Sequence, residues 1–461
     1  MTVIQNALSG ALAAQAALST ASQNIANVMT PGYTRQGVVI ATVQPQQSGS
    51  LSAGAGVTVP ALIRFSDSYK SLQMWQSAST LGQRSTAQPY LTQLEQVMGD
   101  DASSINNGLD AFFGALNAAS VEPTSSPLRQ QVLTSAEALS QRFNSLNTVL
   151  SNQRQAVYQQ RTAAVSQING LAGSIATLNQ KIAATQATGI NASGLIDERD
   201  QKIDILAGLV GVGVVDQADG TRSVSLRSGQ PLVVGGVASN MSIQSNPDGS
   251  QTLKLNFAKE SFALISQNLG GQLGGLDDFE HRVLSPLMQS ITDTANAIAT
   301  KVNNQLGSGY ALDGTPGTPL FVFDATSSTN MLAVRPGVVS QDLAFSSDPT
   351  LPGNNDNLLA LIDLKKQPVT VTSLGNVLMG DVYTQLTSGL AMQSQQNQAA
   401  LSTAQTVRDQ SEASWKSTSG VNTDEEAMNI MQYQQMYQAN MKVISVANDL
   451  FNSTLSMMSG G

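Results

Sequence analysis

The chain has 461 residues, of which 12% are charged; it carries a net charge of −9, one histidine and no cysteine. That length exceeds what a single ordinary core organises and implies two or three domains. The missing cysteine excludes disulfides, thiolate metal sites and a cysteine nucleophile, and an acidic chain without a Lys/Arg cluster argues against nucleic acid or an anionic membrane as partner.

Charged residues reach about half of their usual share, and Gln, Asn, Ser and Thr replace them. Copies of such a surface repel one another weakly, which suits dense self-association. The N-terminus lacks a basic region and a small-residue cleavage site, so no cleaved signal peptide is expected. No run of about 18 apolar residues is present, so no membrane insertion is expected.

Residues 2–29 read as a helix. Ile4, Ala11, Leu18 and Ile25 recur every seven residues, and Ala7, Ala14, Ala21 and Val28 sit three later in each heptad. Together these form a coiled-coil seam, with Leu8 beside it. No charged residue precedes Arg35. Pro31 and Gly32 then fit the two central positions of a type II turn, within a motif that includes Asn27, Tyr33 and Arg35.

Strand-like pieces follow at 33–43 and 55–64, separated by a Gln/Ser/Gly loop. Helices are expected at 67–98, 104–120, 127–186 and 194–209, the third opened by Ser126-Pro127 as cap and first-turn proline. Along it Leu133, Leu139, Phe143, Leu146, Leu150, Val157, Val165, Ile168, Ile175 and Leu178 are spaced for one buried face. From Gly211 to Phe257 the pattern turns to short β-type runs such as "SVSLRS" and "QTLKLNF". Helix returns at 277–306, a second β-like patch spans 309–345, and helices resume at 374–418 and 424–459.

The last helix mirrors the first. Ile430, Tyr437, Ile444, Phe451 and Met458 repeat every seven residues, flanked by a second row of Met436, Val443, Leu450 and Met457. Between Ala427 and Gly461 the only charges are Lys442 and Asp449. Thr423 is placed to cap this helix, and Glu426 to close a capping box. Each terminal helix is marginal alone, so two readings stand: the ends are loose in the free chain and fold into a coiled coil when packed among copies, or they form an ordinary intramolecular helix pair. The expected fold class is mainly α with inserted β. Residues 1–32 and 424–461 would form a terminal coiled-coil assembly domain. Residues 33–210, 270–308 and 351–423 would form a helical rod, and 211–269 with 309–350 a β-rich outer domain.

Chemistry is sparse. Asp277, Asp278, Glu280 and His281 suggest a metal site, but His281 is the only histidine, and Asp277 with Glu280 reads as a helix-start box. Asp197, Glu198, Asp200 and Asp204, interleaved with Arg199 and Lys202, read as a solvated helix face rather than as acid/base groups. The glycines of "LGGQLGG" lack the following Lys-Ser/Thr of a phosphate loop. No nucleophile elbow accompanies His281. Phe112, Phe113, Trp75 and Trp415 read as core of the rod. Tyr33 and Arg35 fit either local turn packing or a contact between subunits.

Two end segments carry a family resemblance: "NALSGALAAQAALSTASQNIANVMTPGYTRQ" and "SGVNTDEEAMNIMQYQQMYQANMKVISVANDLFNSTLSMM". They resemble the paired terminal signatures of bacterial flagellar rod, hook and hook-associated proteins. Three interior stretches, "GLDAFFGALNAASVEPTSSPLRQQVL", "GLIDERDQKIDILAGLVGV" and "LGGQLGGLDDFEHRVLSPLMQSITDTANAIATKVNNQLGSGYALDG", resemble the flagellar hook-associated protein 1 family, which forms the hook–filament junction. Thr34 stands where that family usually has Ser, and Thr423 where it often has an apolar residue.

The resemblance implies a non-enzymatic structural subunit without cofactor or metal. It implies unfolded export through the flagellar type III apparatus and an extracellular place in the bacterial flagellum, as a ring-like segment. Its implied partners are further copies of itself, the flagellar hook protein, the second hook-associated junction protein and a flagellar export chaperone that holds the free C-terminal helix. The terminal helices would line the inner tube, with the β domain outermost. Competing readings are a secreted enzyme on a coiled-coil stalk, a secreted adhesin, and another rod or hook component.

Overall fold

The computed structural model describes residues 2–44, 54–247, 249–264 and 268–459; the expected Gln/Ser/Gly loop lies mostly outside them. The chain opens with α1 (Thr2–Ala26), followed by an antiparallel ribbon of β1 (Gln36–Thr42) and β2 (Val57–Arg64). Next come α2 (Ser68–Gly99), α3 (Ile105–Val121), α4 (Ser126–Ala187) and α5 (Ser193–Leu209).

Seven strands follow. β3 (Val212–Asp216), β4 (Arg222–Leu226), β5 (Pro231–Val234) and β6 (Val237–Ala238) make a four-stranded antiparallel meander. β7 (Asn240–Ser245), β8 (Gln251–Phe257) and β9 (Glu260–Leu264) make a three-stranded one. α6 (Gly271–Phe279) then runs through a π turn, Glu280–Leu284, into α7 (Ser285–Gly307). The remainder comprises β10 (Phe321–Phe323), β11 (Leu332–Val334), α8 (Asp356–Asp363), the hairpin β12 (Pro368–Val371) and β13 (Gly375–Leu378), α9 (Val382–Ser419) and α10 (Thr423–Ser459). The fold class is mainly α with inserted β.

α4 is the spine. Its 62 residues extend roughly 90 Å at 1.5 Å per residue. All ten apolar positions expected on its buried face are buried. That face serves two large cores in succession and, near its end, a small one in which Leu178 and Ile182 meet Ala192. The first half of α4, up to Val157, packs with Leu91, Leu94 and Met98 of α2, with α3, α7 and α8, and with β10–β13 and the start of α9. The second half, Ala164 to Ala176, packs with Trp75 of α2, with α5, and with β3, β4, β5, β7, β8 and β9. The two β patches, 211–269 and 309–350, therefore sit against different cores, in separate sheets.

Several local expectations shift. α6 starts at Gly271, so Asp277 and Glu280 are not a helix-start box. Glu280 instead lies buried in the π turn and pairs with Arg161 of α4. The helix expected from 374 starts at Val382, because "PVTVTSLGNVL" pairs with itself as β12–β13, where Gly375 takes a φ of +74°. The second β patch is largely irregular, with two three-residue strands. Phe112, Phe113 and Trp75 are core as expected, but Trp415 is half-buried. Ser125 rather than Ser126 precedes α4, without a side-chain cap. Asn422 rather than Thr423 caps α10: its Oδ1 accepts from Asp424 N at 3.0 Å.

Candidate assembly site

α1 and α10 lie antiparallel. Ala17, Thr20 and Ala21 stand beside Glu426, Asn429 and Tyr433; Gly10 faces Asn440; and Val3 and Ile4 share the lining of one groove with Val443, Val446, Leu450 and Phe451. The buried stripe of α1 is made of small residues: Ala7, Gly10, Ala11, Ala13, Ala14, Ala17, Thr20, Ala21 and Asn24. This corrects half of the expected seam. Its alanines are buried, but Ile4, Leu18 and Ile25 flank the contact half-buried, Leu8 is exposed, and Val28 lies beyond the helix end, also exposed.

Small residues win because they let the two backbones approach. A Cβ added to Gly10 would stand 2.6 Å from Asn440 Oδ1, closer than atoms tolerate. The residues of α10 turned towards α1 are half-buried: Ile430, Tyr433, Met436, Asn440, Ile444 and Ala447. The expected seam on α10 is corrected too. Tyr437, Val443, Leu450, Phe451 and Met458 are exposed, with Met458 at 81%. α10 has 37 residues against 25 in α1, and its described side chains from Phe451 to Met458 are all exposed.

Among its described side chains only Glu426 is buried. Away from α1 the helix exposes apolar groups, from Met428 and Met431 to Val446. An exposed apolar surface of this extent normally marks a site of protein association. Val3, Ile4, Val443, Val446, Leu450 and Phe451 line an open groove of about 900 Å³ at this end.

The turn that leaves α1 fastens the helix pair to the rod. Tyr33 N donates to Thr30 O at 3.2 Å and Gly32 has a φ of +78°, which is the type II geometry. Asn24, which is buried, holds the next strand from both sides: its Nδ2 donates to Gln36 O at 2.8 Å, and its Oδ1 accepts from Gln36 N at 3.0 Å. Tyr33 Oη also donates to Asn24 Oδ1, at 2.9 Å. Arg35 reaches α10, with Nη1 2.8 Å from Glu425 Oε2 and Nε 2.8 Å from Glu426 Oε1. Its guanidinium also covers the Phe65 ring. Arg35 N donates to Ser419 O, the last residue of α9, at 2.8 Å. Within one chain Tyr33 and Arg35 are thus joint residues. Asn27 caps back within its own helix turn through Nδ2 to Gln23 O, and Pro31 is exposed.

Behind this turn lies a charge cluster that corrects the expected solvated face of α5. Asp197 and Arg199 are buried, at 8% and 2% exposure. Arg64 of β2 bridges Asp197 at 2.7 Å and Asp200 at 3.0 Å. Arg222 of β4 bridges Asp200 and Asp216, each at 2.5 Å. Arg199 donates to Gly220 O at 2.8 Å, and Asp204 pairs with Arg408 of α9 at 2.7 Å. Thr34 N donates to Asp197 Oδ2, so the cluster grips the turn directly. Glu198 and Lys202 alone fit the solvated reading, as a pair of one exposed and one half-buried side chain. Burial pushes the Asp197 carboxyl above its ordinary range although Arg64 opposes it. Burial, followed by Asp197 and Glu426, raises the Tyr33 phenol as well.

No catalytic constellation emerges among the described residues, and no group of three or more His, Asp or Glu is arranged to hold a metal. His281 bonds Asp277 at 3.1 Å, which raises its pKa to about 9. Among the described residues, no helix is long and apolar enough to cross a membrane. Asn24 and Gln36 were missed from sequence; their signal was a buried-type Asn on the small-residue face just before a helix end.

Comparison with known proteins adds to this geometry. Residues 91–321 match the family model described as the flagellar hook-associated protein FlgK helical domain. Residues 4–34, which hold α1 and the turn, match the flagella basal body rod protein model, and residues 417–457, which hold α10, match the flagellar basal body rod FlgEFG protein C-terminal model. The chain is 27% identical over 552 residues to flagellar hook-associated protein 1 of Salmonella typhimurium, covering 99% of both chains. It is 27% identical over 550 residues to the Escherichia coli K12 protein of the same name, again covering 99% of both, and 23% identical over 491 residues to that of Bacillus subtilis, covering 97% of this chain and 96% of the relative. Among solved structures, the flagellar hook junction protein FlgK from Burkholderia pseudomallei aligns with a TM-score of 0.51 at 30% identity. That alignment covers 55% of this chain and 47% of the other, under half of its length.

Proposed function

Because the chain belongs to the flagellar hook-associated protein 1 (FlgK) family, we propose that this component of the flagellar axis forms the junction between hook and filament. Its partners are further copies of itself, the hook protein on one side and the second hook-associated junction protein on the other. It reaches an extracellular site through the flagellar type III apparatus, and an export chaperone covers α10 until then.

The observation that carries this reading is α10 itself: 37 residues of helix that only half-bury one face against α1 and leave the apolar side chains of the other faces exposed, with only Glu426 buried among the described side chains. Neighbouring copies would remove those groups from water at roughly 25 cal/mol per Å². Ile4, Leu8, Leu18, Ile25 and Val28 of the N-terminal segment, with Ile430, Tyr437, Val443, Ile444, Leu450, Phe451 and Met458, form the assembly surface, and the buried Ala7 and Ala11 hold α1 against α10 beneath it. Residues 1–32 and 424–461 serve as the assembly domain, the long helices as the rod, and the β-rich segments as its outer parts. A structural role needs no catalytic group.

The test is a gene deletion in the source bacterium. The expected result is cells that keep hooks, lack filaments and release filament subunits into the medium. Normal filaments, or absent hooks, overturn the junction reading.

A further inference from the structure

The chain contains 15 methionines and no cysteine. Six of those methionines, at 428, 431, 436, 441, 457 and 458, lie in the 37 residues of α10. Five of them are exposed: Met428, Met431, Met441, Met457 and Met458. By contrast Met98, Met241, Met331 and Met379 are at most 1% exposed, inside the two cores. Outside α10, Met29 and Met392 are exposed as well, so five of the seven methionines exposed among the described residues lie on the helix that carries the apolar surface, with no thiol elsewhere to intercept the oxidant.

We propose that the exposed methionines of α10 form an oxidative modification site, at which a peroxide converts thioether to sulfoxide and blocks association of the free chain. The inference rests on α10 being the assembly surface. In the step, a sulfur lone pair attacks one peroxide oxygen, the S–O bond forms and the O–O bond breaks. The departing hydroxide takes the remaining proton and leaves as water. Sulfur loses two electrons and the peroxide gains them. A flexible apolar side chain becomes a polar one, and a methionine sulfoxide facing another helix loses the burial that thioether packing supplies.

Losing the burial of one such side chain corresponds to roughly a tenfold weaker contact. Chains already enclosed by neighbours would be shielded, so the block acts before assembly rather than after it.

The experiment treats the full free chain with limiting hydrogen peroxide. Peptide mass spectrometry then follows oxygen addition at each methionine, and a second arm measures addition of the treated chain to purified hook ends. The expected result is early oxidation at Met428, Met431, Met441, Met457 and Met458, slow oxidation at Met98, Met241, Met331 and Met379, and an assembly yield at least about tenfold lower, following the same relation. A variant with Met→Leu at the five exposed positions keeps the apolar volume and is expected to assemble equally with and without peroxide.

Equal oxidation of buried and exposed methionines overturns the inference. So does full assembly of a chain shown to carry the five sulfoxides, or a five-leucine variant that peroxide still inactivates. Failure of the untreated chain to add to hook ends counts instead against the junction reading, while the oxidation pattern is still read from the mass spectra.

Discussion

Asn24 and Gln36 exchange two hydrogen bonds of opposite direction, at 2.8 and 3.0 Å, between the last turn of α1 and the first residue of β1. One side chain thus does for Gln36 what a neighbouring strand would do, at a point where the backbone is buried and water cannot substitute. Replacing Asn24 by Ala leaves a buried donor and a buried acceptor unpaired. At roughly 1–3 kcal/mol for each group, the loss should show as a lower midpoint in urea and faster hydrogen exchange at Gln36. An unchanged midpoint would mean that the turn holds without the clamp.

Arg35 and Glu426 connect that turn to the only buried side chain described in α10. A double-mutant cycle with Arg35→Ala and Glu426→Gln should give a coupling of about 0.5–3 kcal/mol, the range for residues that share an ion pair. Additive effects within about 0.3 kcal/mol would remove the pair from the joint.

Gly10 allows α1 to lie against Asn440. Gly10→Ala should weaken protection of α10 amides in hydrogen exchange, although Ala favours an isolated helix by about 0.8–1.0 kcal/mol. Combining it with Asn440→Ala should restore protection, because the clash then has no second member. A Gly10→Ala chain with unaltered protection would show that the backbones have slack there.

Gln153 is buried in the middle of α4, and neither end of its amide is hydrogen-bonded among the described residues. Gln153→Met keeps the length of the side chain and removes the polar atoms. The expected outcome is a gain of roughly 1–3 kcal/mol, the desolvation cost of an unsatisfied buried group, read as a higher denaturation midpoint. Destabilisation would mean that the amide has a partner the geometry does not reveal.

His281 has its pKa raised to about 9, first by its hydrogen bond to Asp277. The folded state holds this proton more tightly than the unfolded chain does. The stabilising contribution is therefore complete below the ordinary value of 6.5 and disappears as pH rises through about 9. His281→Gln should flatten stability against pH within that window. Because the imidazole is half-exposed, solvent keeps the effect small. A wild-type slope that survives the substitution would assign it to another group.

Much of the helical architecture was legible because its signals are local. The ten apolar positions of α4 recur at helical spacing over 46 residues, from Leu133 to Leu178, and no tertiary contact is needed to read them. The Pro31-Gly32 turn was equally plain, since few residues adopt the positive φ that Gly32 shows. The hairpin at 368–378 was missed because a stretch rich in Thr and Val lies directly before a true helix, and a period of two over four residues is easily absorbed into one of 3.6.

The α5 cluster failed for a different reason. Asp and Arg at helical spacing look identical in sequence whether they face water or one another, and the partners Arg64, Arg222 and Arg408 lie far away along the chain. Which face of α1 is inward was likewise undecidable. Its alanines and its larger residues share one heptad pattern, and only the approach of Asn440 to Gly10 favours the smaller set.

The sequence by itself determined the mainly-α class with inserted β, the positions of the long helices, the turn after α1 and a nearly uncharged pair of ends, because periodicity, proline, glycine and net charge act over a few neighbouring residues. Tertiary structure alone decided that two β segments serve two cores, that a run of charges is buried, and that Asn24, Arg35 and Glu426 tie the ends to the rod. Those outcomes depend on desolvation and pairing between groups tens to hundreds of residues apart, whose cost or gain exists only once the chain has brought them together.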